Sequence, residues 1–366
     1  MLGPRAGGGG PSGGGVVADV DMNRFRRLAD LTVLVTFALI VVGGIVRVSE
    51  SGLGCGPGGS GTEGWPLCNG EAVPFFHDTE VIVEFSHRTL AAIVTALIVA
   101  LVWIAYRHLR DLRWPLRSTL AAGVLVLAQA GLGGLTVEKS LAEELVAAHL
   151  GLAMVLIGLL LWIAVRARGE LAARGEPLKS GAGPVRPAPA PVRGLKPLAA
   201  AAVVLLLCAI VAGGYVAGTE EEGVEGSGRN IDGAHVACGE QFPGCLNQGA
   251  FPFGESRLSD IHLTHRAFVY GATLAILALL GLALIRGSRS RLLAVAALLL
   301  AVQLALGALN VWLGEHAVLI VAHLVTATLL WSTLMVIDFR LAWSLQPATA
   351  AAGVHAQAAQ PSTVAA

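Results

Sequence analysis

Charge is scarce in this chain. Only 14% of its 366 residues are Asp, Glu, Lys or Arg, against about 25% in an ordinary soluble domain, and mean hydropathy is +0.70. That shortage excludes a soluble globular protein. Aromatic residues make up just 5%, and no basic face with interleaved aromatics occurs, which excludes a nucleic-acid surface. Residues 1–23 are rich in glycine and lack both the apolar core of a secretory signal peptide and the Arg- and Ser-rich pattern of an organelle transit peptide. They read as a disordered cytoplasmic tail, and the expected membrane is a bacterial plasma membrane. The long apolar runs do not alternate with polar residues, so they are helices and not strands of a membrane barrel.

Eight such runs, near 28–48, 81–105, 116–137, 145–165, 197–217, 261–285, 292–313 and 317–338, approach the roughly 20 residues that cross a bilayer. The fold class is therefore an all-α integral membrane protein. A net charge of zero conceals an asymmetry. With the amino terminus inside, the inner segments hold 19 of the 25 Lys and Arg and 7 of the 25 Asp and Glu. The positive-inside rule then places both termini in the cytoplasm.

The crossings form a tandem repeat. Gly43-Gly44 recurs as Gly213-Gly214, and Gln129-Ala-Gly-Leu-Gly133 recurs as Gln303-Leu-Ala-Leu-Gly307. Each half has four crossings, an even number, so the two tandem four-helix bundles should be related by a pseudo-two-fold axis along the membrane normal. The expected organisation is a tail at 1–23, a first bundle at 24–166, a cytoplasmic linker at 167–196, a second bundle at 197–341 and a disordered tail at 342–366. The linker carries Pro177, Pro184, Pro187, Pro189 and Pro191 and shows no apolar periodicity.

Cysteine is also sparse, five residues in all. Cys55 and Cys68 share the first outer loop, and Cys238 and Cys245 share the third. Paired thiols on the oxidising side form disulfides. Cys208, mid-helix, reads as a small core residue.

The chemistry sits in four histidines. Glu84-Phe-Ser-His87-Arg88 opens the second crossing and His262-Leu-Thr-His265-Arg266 the sixth. His149 and His323 follow in the fourth and eighth. Ionisable groups inside hydrocarbon are costly and mark functional sites. A single one of these would most simply be a satisfied core histidine. Four at repeat-equivalent positions, on parallel helices and at comparable depth toward the outer face, suit axial ligation of haem iron, two per half. Arg88, Arg266 and Arg47 lie at the same face, where guanidinium groups can bind porphyrin propionates or snorkel to head groups. Glu84 precedes His87 by three residues and shares its helix face, which equips it for proton transfer. Its counterpart is His262, so the first half carries a carboxylate and the second does not. That asymmetry reads as a reaction site beside an electron-transfer site.

These residues resemble haem A synthase, the eight-helix membrane family of bacteria and mitochondria. The resemblance covers about residues 24–340 and is carried by Glu84-Phe-Ser-His-Arg88, Gly52-Leu-Gly-Cys55 with Trp65-Pro-Leu-Cys68, and His262-Leu-Thr-His-Arg266. It implies oxidation of a porphyrin methyl of haem O to the formyl of haem A by successive hydroxylation. By the same resemblance, His87 and His149 face haem O in the first half, His265 and His323 ligate a permanent haem B in the second, and Glu84 assists proton removal. The family's first cysteine pair resembles a redox-active or structural disulfide. This chain departs from it in the twelve residues between Cys55 and Cys68, which include the insert Gly56-Pro-Gly-Gly-Ser-Gly61. Candidate partners are haem O, membrane lipid, a haem O synthase (protohaem farnesyltransferase), an electron acceptor and a second copy of the chain in a homo-oligomer. The alternative is a bis-histidine b-type cytochrome that relays electrons without modifying haem; a transporter fits the intramembrane residues poorly.

Overall fold

A computed structural model describes residues 13–75, 78–173, 194–221, 232–314 and 316–344. They form eight long helices: α1 (Gly13–Val48), α2 (Thr79–His108), α3 (Arg113–Glu138), α4 (Glu143–Ala173), α5 (Lys196–Gly218), α6 (Arg257–Ile285), α7 (Arg291–Trp312) and α8 (Ala317–Ser344). All eight contain stretches long and apolar enough to cross a membrane, and the chain is a multi-pass membrane protein. The shortest, α7, has 22 residues, roughly 33 Å at 1.5 Å per residue, enough to span the hydrocarbon. Shorter elements include three single 3-10 turns and a ladder of two short strands, β1 (Glu220–Glu221) and β2 (Asp232–Gly233).

The helices outrun the apolar runs that mark them. α1 starts at Gly13, inside the segment expected to be a structureless tail, because Met22 and Phe25 are fully buried there. α4 continues past the expected boundary at 166 to Ala173, held by buried Leu171 and by Arg168, which donates to Asp30 on α1 at 2.7 Å. α8 runs to Ser344, with Leu341 buried. Residues 1–12, 174–193 and 345–366, which hold most of the expected tails and linker, lie outside the described residues.

Successive helices alternate in direction. The α1–α2 and α5–α6 loops, each with a disulfide, therefore share one end of the bundle, and the start of α1, the end of α4, the start of α5 and the end of α8 share the other. In lipid, apolar burial does not drive helices together, so close packing must do so. One cluster of buried residues joins α1 to α4 around Phe25, Ile98, Leu101, Leu160 and Ile163. A second joins α5 to α8 around Leu206, Ile276, Leu330, Trp331 and Leu334. α4 contributes to both, Leu156 and Leu160 to the first and Met154 and Ile157 to the second. Glycines bring the halves into contact. A Cβ on Gly158 of α4 would stand 2.6 Å from the Trp331 ring of α8. Gly44 of α1 is closed by Leu324 of α8, and Gly214 of α5 by Leu150 of α4, the residues next to His323 and His149. The two cross-contacts are equivalent in the repeat.

At the linker end, ion pairs fasten the bundle. Asp30 accepts from both Arg26 and Arg168, and Lys196 of α5 donates to Asp338 of α8 at 2.6 Å. Both expected disulfides are present, Cys55–Cys68 and Cys238–Cys245, with Cα–Cα distances of 4.3 and 4.6 Å. Cys208 is a free thiol, half-buried in α5.

Candidate functional site

The four histidines open the even-numbered helices at matched depth. His87 and His265 lie eight residues into α2 and α6, and His149 and His323 six residues into α4 and α8, roughly 9–12 Å from the helix starts. His149 lies within electrostatic reach of His87, and His323 within reach of His265.

Each imidazole packs against a glycine on the preceding helix. A Cβ at Gly43 would stand 3.1 Å from Cε1 of His87; at Gly133, 3.0 Å from His149; at Gly213, 2.9 Å from His265; at Gly307, 3.2 Å from His323. The ring of His265 reaches over Gly213 to place Nδ1 2.9 Å from the Ala209 carbonyl. A carbonyl can only accept, so Nδ1 carries the hydrogen and the lone pair of the neutral ring is on Nε2. The Nδ1 atoms of His149 and His323 are buried without a hydrogen-bond partner, and His87 stands beside the Leu39 carbonyl. Gln129 donates to the His149 carbonyl at 2.9 Å, and Gln303 Nε2 lies 3.1 Å from His323 Nε2. Both are polar contacts between neighbouring helices.

This donor set fits haem. Two imidazoles are too few for a bare metal ion, and among the described residues no three His, Cys, Asp or Glu side chains converge to hold one. They are the number needed to complete a porphyrin iron from its two faces.

Above the histidines the arginines grip the loops. Arg88 donates to the Leu67 carbonyl at 2.7 Å and pairs with Glu84 one turn earlier. Arg266 donates to the carbonyls of Gly244 at 2.7 Å and Gln241 at 2.9 Å, and stands over the Phe242 ring. Leu67 and Gly244 each immediately precede the second cysteine of their disulfide, so the two arginines hold equivalent points of the two loops. Arg47 donates to the Ala217 carbonyl at 2.6 Å and so joins the end of α1 to the end of α5.

Glu84 is 3% exposed. Its carboxylate turns up to the first loop, accepting the Cys55 N–H at 2.7 Å on one oxygen and Arg88 on the other. His262, its counterpart, also reaches its loop, with Nδ1 2.8 Å from the Ala234 carbonyl. The loops themselves are a duplicated element that hydropathy passes over. Trp65-Pro66-Leu67-Cys68 corresponds to Phe242-Pro243-Gly244-Cys245, both with a cis peptide before proline. Trp65 lies on α3 where Gly134 leaves room: a Cβ there would be 2.7 Å from its ring. Phe242 meets Trp312 of α7 edge-on at 6.2 Å. The aromatic-Pro-X-Cys tetrapeptide was the signal that could have revealed this repeat. His316 is exposed at the α7–α8 boundary, His108 pairs with Asp21 at the linker end, and His77 and His355 lie outside the described residues.

Comparison with known proteins adds the last observation. The COX15-CtaA family model, described as cytochrome oxidase assembly protein, matches residues 26–335. A relative from Alkalihalophilus pseudofirmus, named heme A synthase, is 32% identical over 130 residues, which is 35% of this chain and 42% of the relative. Relatives of the same name from Bacillus mycoides and Bacillus cereus are 35% identical over 138 residues, 37% of this chain and 42% of theirs. The matched stretch thus spans less than half the length of these relatives.

Proposed function

Since the chain belongs to the COX15-CtaA family of cytochrome oxidase assembly proteins, we propose that it is a membrane oxidoreductase that converts haem O to haem A. The porphyrin methyl would be oxidised to a formyl by successive hydroxylation. The name carried by the relatives supports this. The observation that carries it is an inequality: two half-buried histidine pairs sit in equivalent seats, and a buried carboxylate precedes the first alone.

On this proposal His87 and His149 flank the substrate haem O, and His265 and His323 hold haem B. When bound, haem B supplies one-electron transfer between the substrate site and an external acceptor. The residues of the chain do the rest. The hydrogen bond to Ala209 presents the Nε2 edge of His265, and the glycine seats fix the ring planes. Glu84 takes up a proton released near the oxidised methyl, its oxygens held in place by the Cys55 N–H and Arg88. Trp65 and the disulfide loop cover this end of α3 and keep water out. Arg88 and Arg266 have five N–H donors each, and the contacts described above use two of them, one loop carbonyl and Glu84 for Arg88 and two loop carbonyls for Arg266, so propionate binding is compatible with gripping the loops. Arg47 is assigned the same task.

The charge asymmetry and the disulfides support an orientation with both termini cytoplasmic and the loops and haem sites toward the outer face of a bacterial plasma membrane. The equivalent glycine seats and loop contacts support a pseudo-two-fold axis along the membrane normal. A haem O synthase, an electron acceptor and a second copy of the chain are the partners proposed.

The contacts of Glu84 favour one competing reading, in which it only fastens the loop and the protein relays electrons. Extraction of haems from protein purified after co-expression with a haem O source, with identification by mass, separates the two. Haem A or its hydroxylated precursor supports synthesis; haem B and unmodified haem O alone support the relay.

A further inference from the structure

We infer that Gly43, Gly133, Gly213 and Gly307 are positioning residues for the four histidines. This rests on the proposal that the histidines ligate haem. Glycine in a helix interior costs about 1 kcal/mol relative to alanine, so each such position needs a compensating contact. Not every helical glycine here has one: Gly123, Gly131 and Gly281 have nothing within 4 Å of a Cβ. The four seats do, and in each the atom met is Cε1 of a histidine ring, at 2.9–3.2 Å. Cε1 lies between the two ring nitrogens. A helix backbone pressed against it bars rotation of the ring and directs the nitrogens along the helix surface.

Four residues before the seat, one turn back, stands a polar group. On α5 it is the Ala209 carbonyl, which takes the Nδ1 hydrogen of His265 at 2.9 Å. On α1 the Leu39 carbonyl occupies the same place beside His87. On α3 and α7 it is the amide of Gln129 or Gln303. An N–H···O=C bond on the far nitrogen fixes the tautomer and makes the imidazole a stronger donor to iron. A locked ligand suits a resident haem.

The test uses the purified holoprotein and reads the redox titration and the low-spin EPR g values of the resident haem. Gly213→Ala should push His265 off the Ala209 carbonyl, raise the midpoint potential and shift the g values while leaving the chain folded. Gly214→Ala is the control for packing alone, because its Cβ would stand equally close, 3.0 Å, but to Leu150; it should leave both readouts at wild-type values. If Gly213→Ala does not accumulate, Gly307→Ala, the mildest clash at 3.2 Å, tests the seat through His323, whose displacement should shift the g values. Wild-type potential and g values in the seat variants, or equal shifts in Gly214→Ala, would overturn the inference. His265→Ala is run alongside: loss of the low-spin haem upholds the ligand assignment, and its retention would remove that assignment and the seats together.

Discussion

The backbone N–H of Cys55 donates to the Glu84 carboxylate at 2.7 Å, so the one buried acid beside the first histidine pair is tied to the disulfide loop above it. Arg88 closes the ring: it pairs with Glu84 and holds the carbonyl next to Cys68. Both ends of the disulfide are thus fastened to two adjacent turns of α2. Opening the disulfide should loosen the loop and with it the acid. Cys55→Ser with Cys68→Ser is expected to cost about 3 kcal/mol, the loop-entropy value for a bridge of this size. Haem A yield should fall several-fold, with the spectrum of the second-half haem unchanged; thermal melting and optical spectra of the purified variant check both.

The Glu84–Arg88 pair should behave as a buried one, since the two side chains are only 5% and 16% exposed. Arg88→Leu leaves the carboxylate uncompensated and should destabilise the protein by about 3–5 kcal/mol. Adding Glu84→Leu removes the stranded charge and should recover a large part of that loss. A double-mutant cycle read by thermal unfolding in detergent measures the coupling.

The two histidine pairs should separate spectroscopically. His265→Ala and His323→Ala are expected to lose the low-spin haem signal that purifies with the protein, and His87→Ala and His149→Ala to keep it while losing haem A formation. Optical and EPR spectra of the four variants make the comparison.

Contact between the halves rests on small residues. Gly158→Ala would drive a Cβ to 2.6 Å from the Trp331 ring and should cost about 1–3 kcal/mol by overpacking. Gly123→Ala, on α3, meets nothing within 4 Å and should be neutral or stabilising by up to about 1 kcal/mol. Melting temperatures of the two variants should move in opposite directions or differ clearly.

Much of this was legible in the sequence. Hydropathy located all eight crossings, because a lipid-facing helix must be apolar over the whole hydrocarbon thickness. Cysteine pairing within loops gave both disulfides, and the repeat gave the equivalent helix positions of the four histidines. Helix ends were less legible: apolar runs measure the membrane, whereas α1 and α4 extend beyond them on buried Phe25 and Leu171 and on the Asp30–Arg168 pair. The tasks of Arg88 and Arg266 were hidden for another reason. Their partners are backbone carbonyls, which every residue has and which leave no mark in the sequence. Glu84 was legible as a buried acid beside His87, but its orientation follows from Arg88 one turn on and the fold of a distant loop. The glycine seats were visible as repeated glycines; that each faces a histidine ring is a matter of helix pairing, which the sequence does not state.

Glu84 carries the difference between the two halves, and Glu84→Gln tests it most directly. Glutamine keeps the shape and can still accept the Cys55 N–H through its carbonyl oxygen, but it cannot take up a proton. Wild-type and Glu84→Gln proteins, each supplied with haem O under turnover conditions, are compared by mass analysis of extracted haems and by the spectrum of the resident haem. An unchanged resident-haem spectrum with haem A formation abolished in Glu84→Gln is the expected result. A wild-type yield of haem A from that variant would contradict it.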